Sequence, residues 1–187
     1  MRNHEVINKH NLLDENGTLI EPGWSRSLVQ SYDRNMIKKR KTRIKEWDYY
    51  YIMSNSNEFC LCLTVSDLGY LGLHSVSFVD LINAKEHTQS ELIPFPMGKT
   101  NLPPSSEIGD VCFKNKKLSI SYKHKDEARI IKMSYPGFDG KKGISCNIIL
   151  TDEQKNRMTE NLRKYPTQGN CYVQHFGSHS NAKVINT

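Results

Sequence analysis

No stretch of this chain approaches the roughly 18 consecutive apolar residues that a membrane-spanning helix requires, so no such span is expected. The first ten residues, MRNHEVINKH, lack the apolar core of a secretory signal, and the expected location is the cytoplasm. Cysteine is sparse and odd in number: Cys60, Cys62, Cys112, Cys146 and Cys171 offer neither a paired framework nor a CxxC spacing. Cys60 and Cys62 lie two apart and would point the same way from a strand. No His or Cys cluster completes a zinc pattern around them, so they read as buried or half-buried free thiols, and no metal or cofactor is expected. Also missing is any regular alternation of strand-like and helix-like segments, which excludes a βαβ architecture. Hydrophobic residues make up only 37% of the 187, enough for one buried core and too few for two full domains.

The net charge of +6 invites an anionic partner, but the excess is local. It sits in Lys38-Lys39-Arg40-Lys41, with Arg43 and Lys45 close behind, while the rest of the chain is nearly balanced. Such a run reads as a solvated segment beside a sheet edge. The alternative is a non-specific contact with anionic partners through Lys38 to Lys45, whose affinity would fall steeply with salt. No specific nucleic-acid partner is expected.

What the chain does contain is alternation. From Ile44 to Leu81 three extended segments, Glu46 to Met53, Glu58 to Ser66 and Tyr70 to Leu81, are separated by Ser-Asn-Ser-Asn and Asp-Leu-Gly, both of them turn chemistry. The middle one places Phe59, Leu61, Leu63 and Val65 on one face and Cys60, Cys62, Thr64 and Ser66 on the other. A strand lines those apolar side chains up against one core, whereas a helix would scatter them. Two β-hairpins in series are therefore expected. A second block follows, with strands expected at 111–113, 118–122, 129–135 and 144–150, turns at Asn115-Lys116 and His124 to Glu127, and the last two strands joined through Pro136-Gly137 and Asp139-Gly140. Regular short strands between turn signals predict an all-β fold, an antiparallel sandwich or barrel.

The flanks are less regular. Asn16-Gly17 between Leu12-Leu13 and Leu19-Ile20 predicts a tight hairpin. Ser25 to Arg43 carries Leu28, Tyr32, Met36 and Ile37 at near-helical spacing, which fits a short helix or an irregular arm. Asn83 to Gln89 is polar, and Pro94, Pro96, Pro103 and Pro104 make the stretch up to Gly109 a loop, long enough to form a lip over a barrel mouth. Thr151-Asp152-Glu153-Gln154 has capping-box form, and Met158 and Leu162 supply one apolar stripe, so a short helix is expected there. Thr167 to Thr187 shows neither periodicity and is expected to be an irregular tail. The boundary expected on these grounds separates a β domain at 1–150 from a tail at 151–187.

Candidate chemistry is thin. Asp48 follows Trp47 on a strand, and Asp67 and Asp80 end strands, but nothing in their spacing pairs them for acid or base work. Strand-end Asp commonly bonds nearby backbone in a turn. His74 lies on a strand and could reach an interior, or simply pack. His175 and His179 would share a helical face, yet no Glu follows the first as a metalloprotease pattern needs. The aromatic mass is Trp24, Trp47 and Tyr49-Tyr50-Tyr51. Alternation places Trp47, Tyr49 and Tyr51 together, either as core packing or as the aromatic wall of a ligand pocket.

Several pieces match a known pattern in order: Leu12-Leu13-Asp14 with Gly17, Glu21-Pro22-Gly23-Trp24-Ser25-Arg26, Tyr32-Asp33-Arg34 and Arg43-Ile44-Lys45-Glu46-Trp47-Asp48-Tyr49-Tyr50. Further along come Ser75-Val76-Ser77-Phe78, Phe95-Pro96-Met97-Gly98-Lys99 and Leu102-Pro103-Pro104-Ser105. Over about residues 10 to 150 the chain resembles the N-terminal half of the DUF2804 family. That resemblance implies two lipocalin-like β-barrels in tandem, distantly similar to the carotenoid hydratases, of which this chain would hold the first. Past Leu150 the motifs of the second half are absent, as in a truncated reading frame.

The reading that follows is a lipocalin-like module without catalysis of its own. It would bind an apolar or amphipathic small molecule between its sheets, with Trp47, Tyr49 and Tyr51 as wall and the Pro94 to Gly109 loop as lip. The alternative is the remnant of a hydratase-like lyase whose catalytic half is missing. Open sheet edges would permit self-association.

Overall fold

Period-two alternation becomes two sheets packed face to face. The computed structural model describes residues 4–54, 56–105, 108–125, 128–140 and 142–150, together with the backbone of three later strands. In chain order the strands are β1 (His10–Asn11), β2 (Trp24–Ser25), β3 (Gln30–Ser31), β4 (Lys45–Met53), β5 (Phe59–Asp67), β6 (Leu71–Asp80) and β7 (Lys85–Pro94). Then follow β8 (Val111–Lys114), β9 (Ser119–Lys125), β10 (Ala128–Asp139), β11 (Lys142–Leu150), β12 (Thr159–Leu162), β13 (Tyr172–His179) and β14 (Ala182–Val184). One sheet runs β2-β12-β13-β4-β5-β6-β7 and the other β14-β11-β10-β9-β8, while β1 and β3 form a small parallel pair. Within the two large sheets every pairing is antiparallel except β13 with β4. Among the described residues β7 and β8 end their sheets without pairing, so the all-β fold is an open sandwich rather than a closed barrel.

The two central hairpins form as the alternation requires. Ser54 closes the first turn: its hydroxyl accepts from the backbone N–H groups of Glu58 (3.0 Å) and Phe59 (3.1 Å). Asp80 closes the turn into β7 by accepting from the N–H groups of Ile82 and Asn83. The tight turn at Asn16-Gly17 is also present, with Gly17 at a φ of 74° and a bridge between Leu13 and Leu19.

Leu61, Leu63 and Val65 of β5 meet Ile120 and Tyr122 of β9 and Ile131 of β10 in one buried cluster. Aromatic contacts cross the gap, Tyr50 against Tyr122 with ring centroids 4.5 Å apart and His74 stacked on Phe113 at 3.7 Å.

Several elements differ from expectation. β7 is a full strand where the polar run at 83–89 and Pro94 pointed to a loop. It is an end strand, where exposed polar side chains and a terminal proline are tolerated. β10 continues through Pro136 and Gly137 to Asp139, with a register shift between Tyr135 and Asp139 that accommodates the missing proline donor. Ser25 to Arg43 forms no α-helix: it is an irregular arm of short strands and two 3-10 turns, Arg34–Met36 and Lys41–Arg43.

The C-terminal helix expected from Thr151 falls partly at 151–158, outside the described residues. Its last turn is corrected by the structure, because Thr159–Leu162 is a strand paired with β2 and β13. Nor is the tail irregular throughout. β13 runs beside β4 in parallel, Tyr172 opposite Lys45 through His179 opposite Ile52, and backbone pairing of this kind does not need apolar periodicity.

The face assignment of β5 is directly testable. Leu61→Asp should lose several kcal/mol, a large part of the roughly 5–15 kcal/mol available to a domain. Cys60→Ser, on the opposite face, should lose on the order of 1 kcal/mol or less. Thermal melts showing equal losses would reverse the assignment.

Candidate functional site

Along β4 the side chains that face the opposite sheet are Glu46, Asp48, Tyr50 and Ile52, all buried, so the inner face grades from acid to apolar within one strand. Cross-strand register carries this gradient sideways. Glu46 aligns with Asp67 and Gly72, Asp48 with Val65, His74 and Glu91, and Tyr50 with Leu63 and Val76. On the facing sheet, Arg129 and His124 pair across β10 and β9, with Tyr122 and Ile131 one inward step further along. Across β4, β5 and β6 one end of the inner face is therefore polar and the other apolar.

The polar end is latched by a loop. Asp67, fully buried at the end of β5, accepts from the N–H of Gly69 (2.9 Å) in its own turn and from the N–H of Gly98 (2.6 Å) and Thr100 Oγ1 (3.2 Å) across the fold. Gly98 sits at a φ of 93°, and a Cβ there would lie 2.8 Å from the Arg34 guanidinium, so both conformation and space require glycine. Arg34 in turn pairs with Glu46, which also accepts from the Tyr32 hydroxyl. Farther along the same loop the Gly109 carbonyl accepts from Arg129 Nη1 at 3.0 Å.

Inside this enclosure the titratable groups are displaced from their ordinary behaviour. Burial pushes the Asp48 carboxyl up to about 6 against the opposing pull of the Arg129 charge. Burial likewise brings the His74 imidazole down to about 4, with the Asp67 charge opposing. Complete burial, reinforced by the neighbouring Tyr50 and Asp48, holds the Tyr122 phenol well above its usual range. Among the described residues the buried Tyr122 Oη and His74 Nδ1 have no hydrogen-bond partner. Native interiors leave few such atoms, and each marks a place where a partner is wanting.

The residues singled out from sequence divide accordingly. Trp47, Tyr49 and Tyr51 do share a face, but it is the one turned away from the inter-sheet core, and Tyr51 is 37% exposed. They therefore do not line the space between the sheets, because the alternation that groups them sends Glu46, Asp48 and Tyr50 inward instead. Asp67 and Asp80 bond turn backbone, whereas Asp48 lies mid-strand in the interior with His74 in its row. His175 and His179 lie on β13, so no helical face unites them. Lys38 to Lys41 is exposed. Tyr122 and Arg129 were not singled out at all. The available signal was a polar residue at an inward position of an otherwise apolar alternation, Tyr122 after Leu118 and Ile120, and Arg129 before Ile131 and Met133. Among the described residues no group of three or more His, Cys, Asp or Glu is placed to hold a metal ion.

These features define an antiparallel β-sandwich domain with a polar interior closed under a loop. The sequence pattern of the family described as Domain of unknown function (DUF2804) matches residues 3–165, and the chain belongs to that family. The match continues past Leu150, where the resemblance read from the motifs stops, to residue 165. Comparison with curated proteins and with solved structures found no match.

The two shifted groups act oppositely on stability. Folding disfavours the charged Asp48, so its share of stability is complete below the unfolded value near 3.8 and is lost as pH rises through about 6. That share is on the order of 2–3 kcal/mol. Folding also disfavours charged His74, so its share is complete above 6.5 and is lost as pH falls through about 4. Asp48→Asn should therefore leave a protein that loses stability on acidification from 6.5 to 4, and His74→Gln one that gains it. Melting temperatures across this window read both slopes, and slopes of the same sign in the two variants would remove these groups from the interior.

Proposed function

We propose that the domain binds a small amphipathic molecule between its sheets. Its polar group would lie at Asp48, Tyr122 and His74, and its apolar part along Leu63, Val65 and Ile131. The observation that carries this reading is the buried Tyr122 hydroxyl, without a partner among the described residues and near the Asp48 carboxyl that burial pushes up to about 6, with His74 Nδ1 likewise unpartnered two strands from Asp48. A ligand hydroxyl or carbonyl would satisfy them, which solvent does not reach. The loop after β7, latched by Asp67, is the lip. The lipocalin-like architecture implied by the family resemblance supports the same kind of ligand. A cytoplasmic place and self-association through the β7 and β8 edges belong to this reading too.

A second reading rests on the same carboxyl. With a pKa of about 6, Asp48 can give or take a proton at neutral pH, as a hydratase-like lyase would need. Asp48→Asn separates the two, because it would end proton transfer while leaving a neutral hydrogen-bonding side chain for binding.

Tyr122→Phe tests the main reading with two signs at once. Removing a buried hydroxyl that lacks a partner should raise the melting temperature of the free protein, by roughly 1 kcal/mol or more of stability. It should also weaken binding of fluorescent long-chain alcohol or ketone probes about 5- to 30-fold, the worth of one hydrogen bond to a buried group. Probe binding unchanged by Tyr122→Phe, or no binding by the wild type, would defeat the proposal.

A further inference from the structure

The outer face of the seven-stranded sheet carries a different chemistry. Cys60 and Cys62 alternate outward from β5, and their Sγ atoms lie 3.7 Å apart, both side chains buried. The sheet supplies the cover: Tyr51 stands directly opposite Cys62, and the hydroxyls of Tyr51 and Tyr49 hydrogen-bond to Cys60 and Cys62 respectively. Neither thiol takes part in the inter-sheet core or in the polar end described above. We infer that Cys60 and Cys62 form a dithiol site for a thiophilic d10 cation of the Cu(I) class, held by two protein thiolates with one position left for a small exogenous thiol.

Geometry favours this over the alternatives. Metal–thiolate bonds of about 2.3 Å spanning the observed Sγ separation close at an S–metal–S angle of roughly 105–110°, within reach of three-coordinate geometry after small side-chain rotations. A disulfide fits poorly. Residues two apart on a strand have Cα atoms about 6.7 Å apart with parallel side chains, at the far limit of what an S–S bond spans. Zinc fits poorly as well, because a structural zinc site takes four N, S or O ligands and no third His, Cys, Asp or Glu joins the pair among the described residues. Soft ions of low coordination number need only the two thiolates and one more sulfur.

The balance is simple. Each thiol releases its proton to solvent, each Sγ gives a lone pair to the ion, and nothing is oxidised or reduced. The two phenol O–H groups then donate to the thiolates and stabilise the negative charge left on the loaded site. Binding therefore displaces protons and strengthens as pH rises.

The test is an anaerobic titration of the full chain with Cu(I) against a chromogenic Cu(I) chelator. The wild type should take up one ion per chain. Cys60→Ser and Cys62→Ser should each lower the affinity at least 100-fold. A variant that keeps only this pair, with Cys112→Ser, Cys146→Ala and Cys171→Ser combined, should retain one ion, with two or three sulfur neighbours by X-ray absorption at the copper edge. Wild-type affinity in either single variant, or loss of the bound ion from the pair-only variant while it remains folded by circular dichroism, would overturn the site. Should the pair-only variant misfold, the wild-type copper edge decides: a shell poor in sulfur refutes the proposal, and one of two or three sulfurs lost in Cys60→Ser upholds it.

Discussion

The carboxylate of Asp67 is the constraint on which the polar end depends. It is fully buried, and it is tolerable there because two backbone N–H groups and a hydroxyl surround it. One of those donors belongs to the turn between β5 and β6 and the others to the loop after β7, so one side chain sets the position of both. Through Gly98 the loop lies against Arg34, and through Arg34 it is tied to Glu46. Remove the carboxylate and these donors are left in the interior with no acceptor, which costs more than the bonds themselves contribute. The loop after β7 is therefore held by an interaction that touches neither Asp48 nor Tyr122.

Polar groups in a sandwich interior oppose the burial that holds the two sheets together. At the apolar end Ile52, Leu61 and Met133 belong to one buried cluster, with His87 Nε2 bonded to the Phe138 carbonyl across the sheets at its edge. At the other end the chain places Asp48, His74, Tyr122 and Arg129, and among the described residues Tyr122 Oη and His74 Nδ1 are left without a hydrogen-bond partner. Local conflicts of this kind, where side-chain choice departs from what packing alone would select, are expected at functional sites.

Much of the fold was legible in sequence because one physical signal, alternation, coincides with burial in β4, β5, β6 and β9 to β11. It failed where the two part company. β7 is held by backbone pairing to β6 with most of its side chains exposed, so its polar run carries no periodic trace. β13 lies beside β4 for the same reason, with Gly and Ser in a run that composition alone assigns to an irregular tail. The site was less legible than the fold. Alternation grouped Trp47, Tyr49 and Tyr51 correctly but does not say which face is inside, and aromatic mass argued for the wrong one. The deciding information is in the neighbouring strand: Leu61, Leu63 and Val65 must face a core, and cross-strand partners share a face, so Tyr50 opposite Leu63 and Ile52 opposite Leu61 fix the inward side of β4.

That argument reassigns two residue sets at once. If Tyr50 and Ile52 are inward, so is Asp48, and a carboxyl that otherwise resembles a surface acid becomes an interior one that burial pushes up to about 6. The aromatic residues then belong to the outside, where Tyr49 and Tyr51 cover the thiols of Cys60 and Cys62 and bury them without a second sheet. The β4–β5 hairpin thus presents the Asp48 carboxyl inward and a sulfur-and-phenol row outward. The two faces of β4 and β5 are chemically independent, because a substitution on one side of a strand leaves the other side's contacts in place. Any activity that depends on Asp48 and any that depends on Cys60 can therefore be lost separately, although both are carried by the same hairpin.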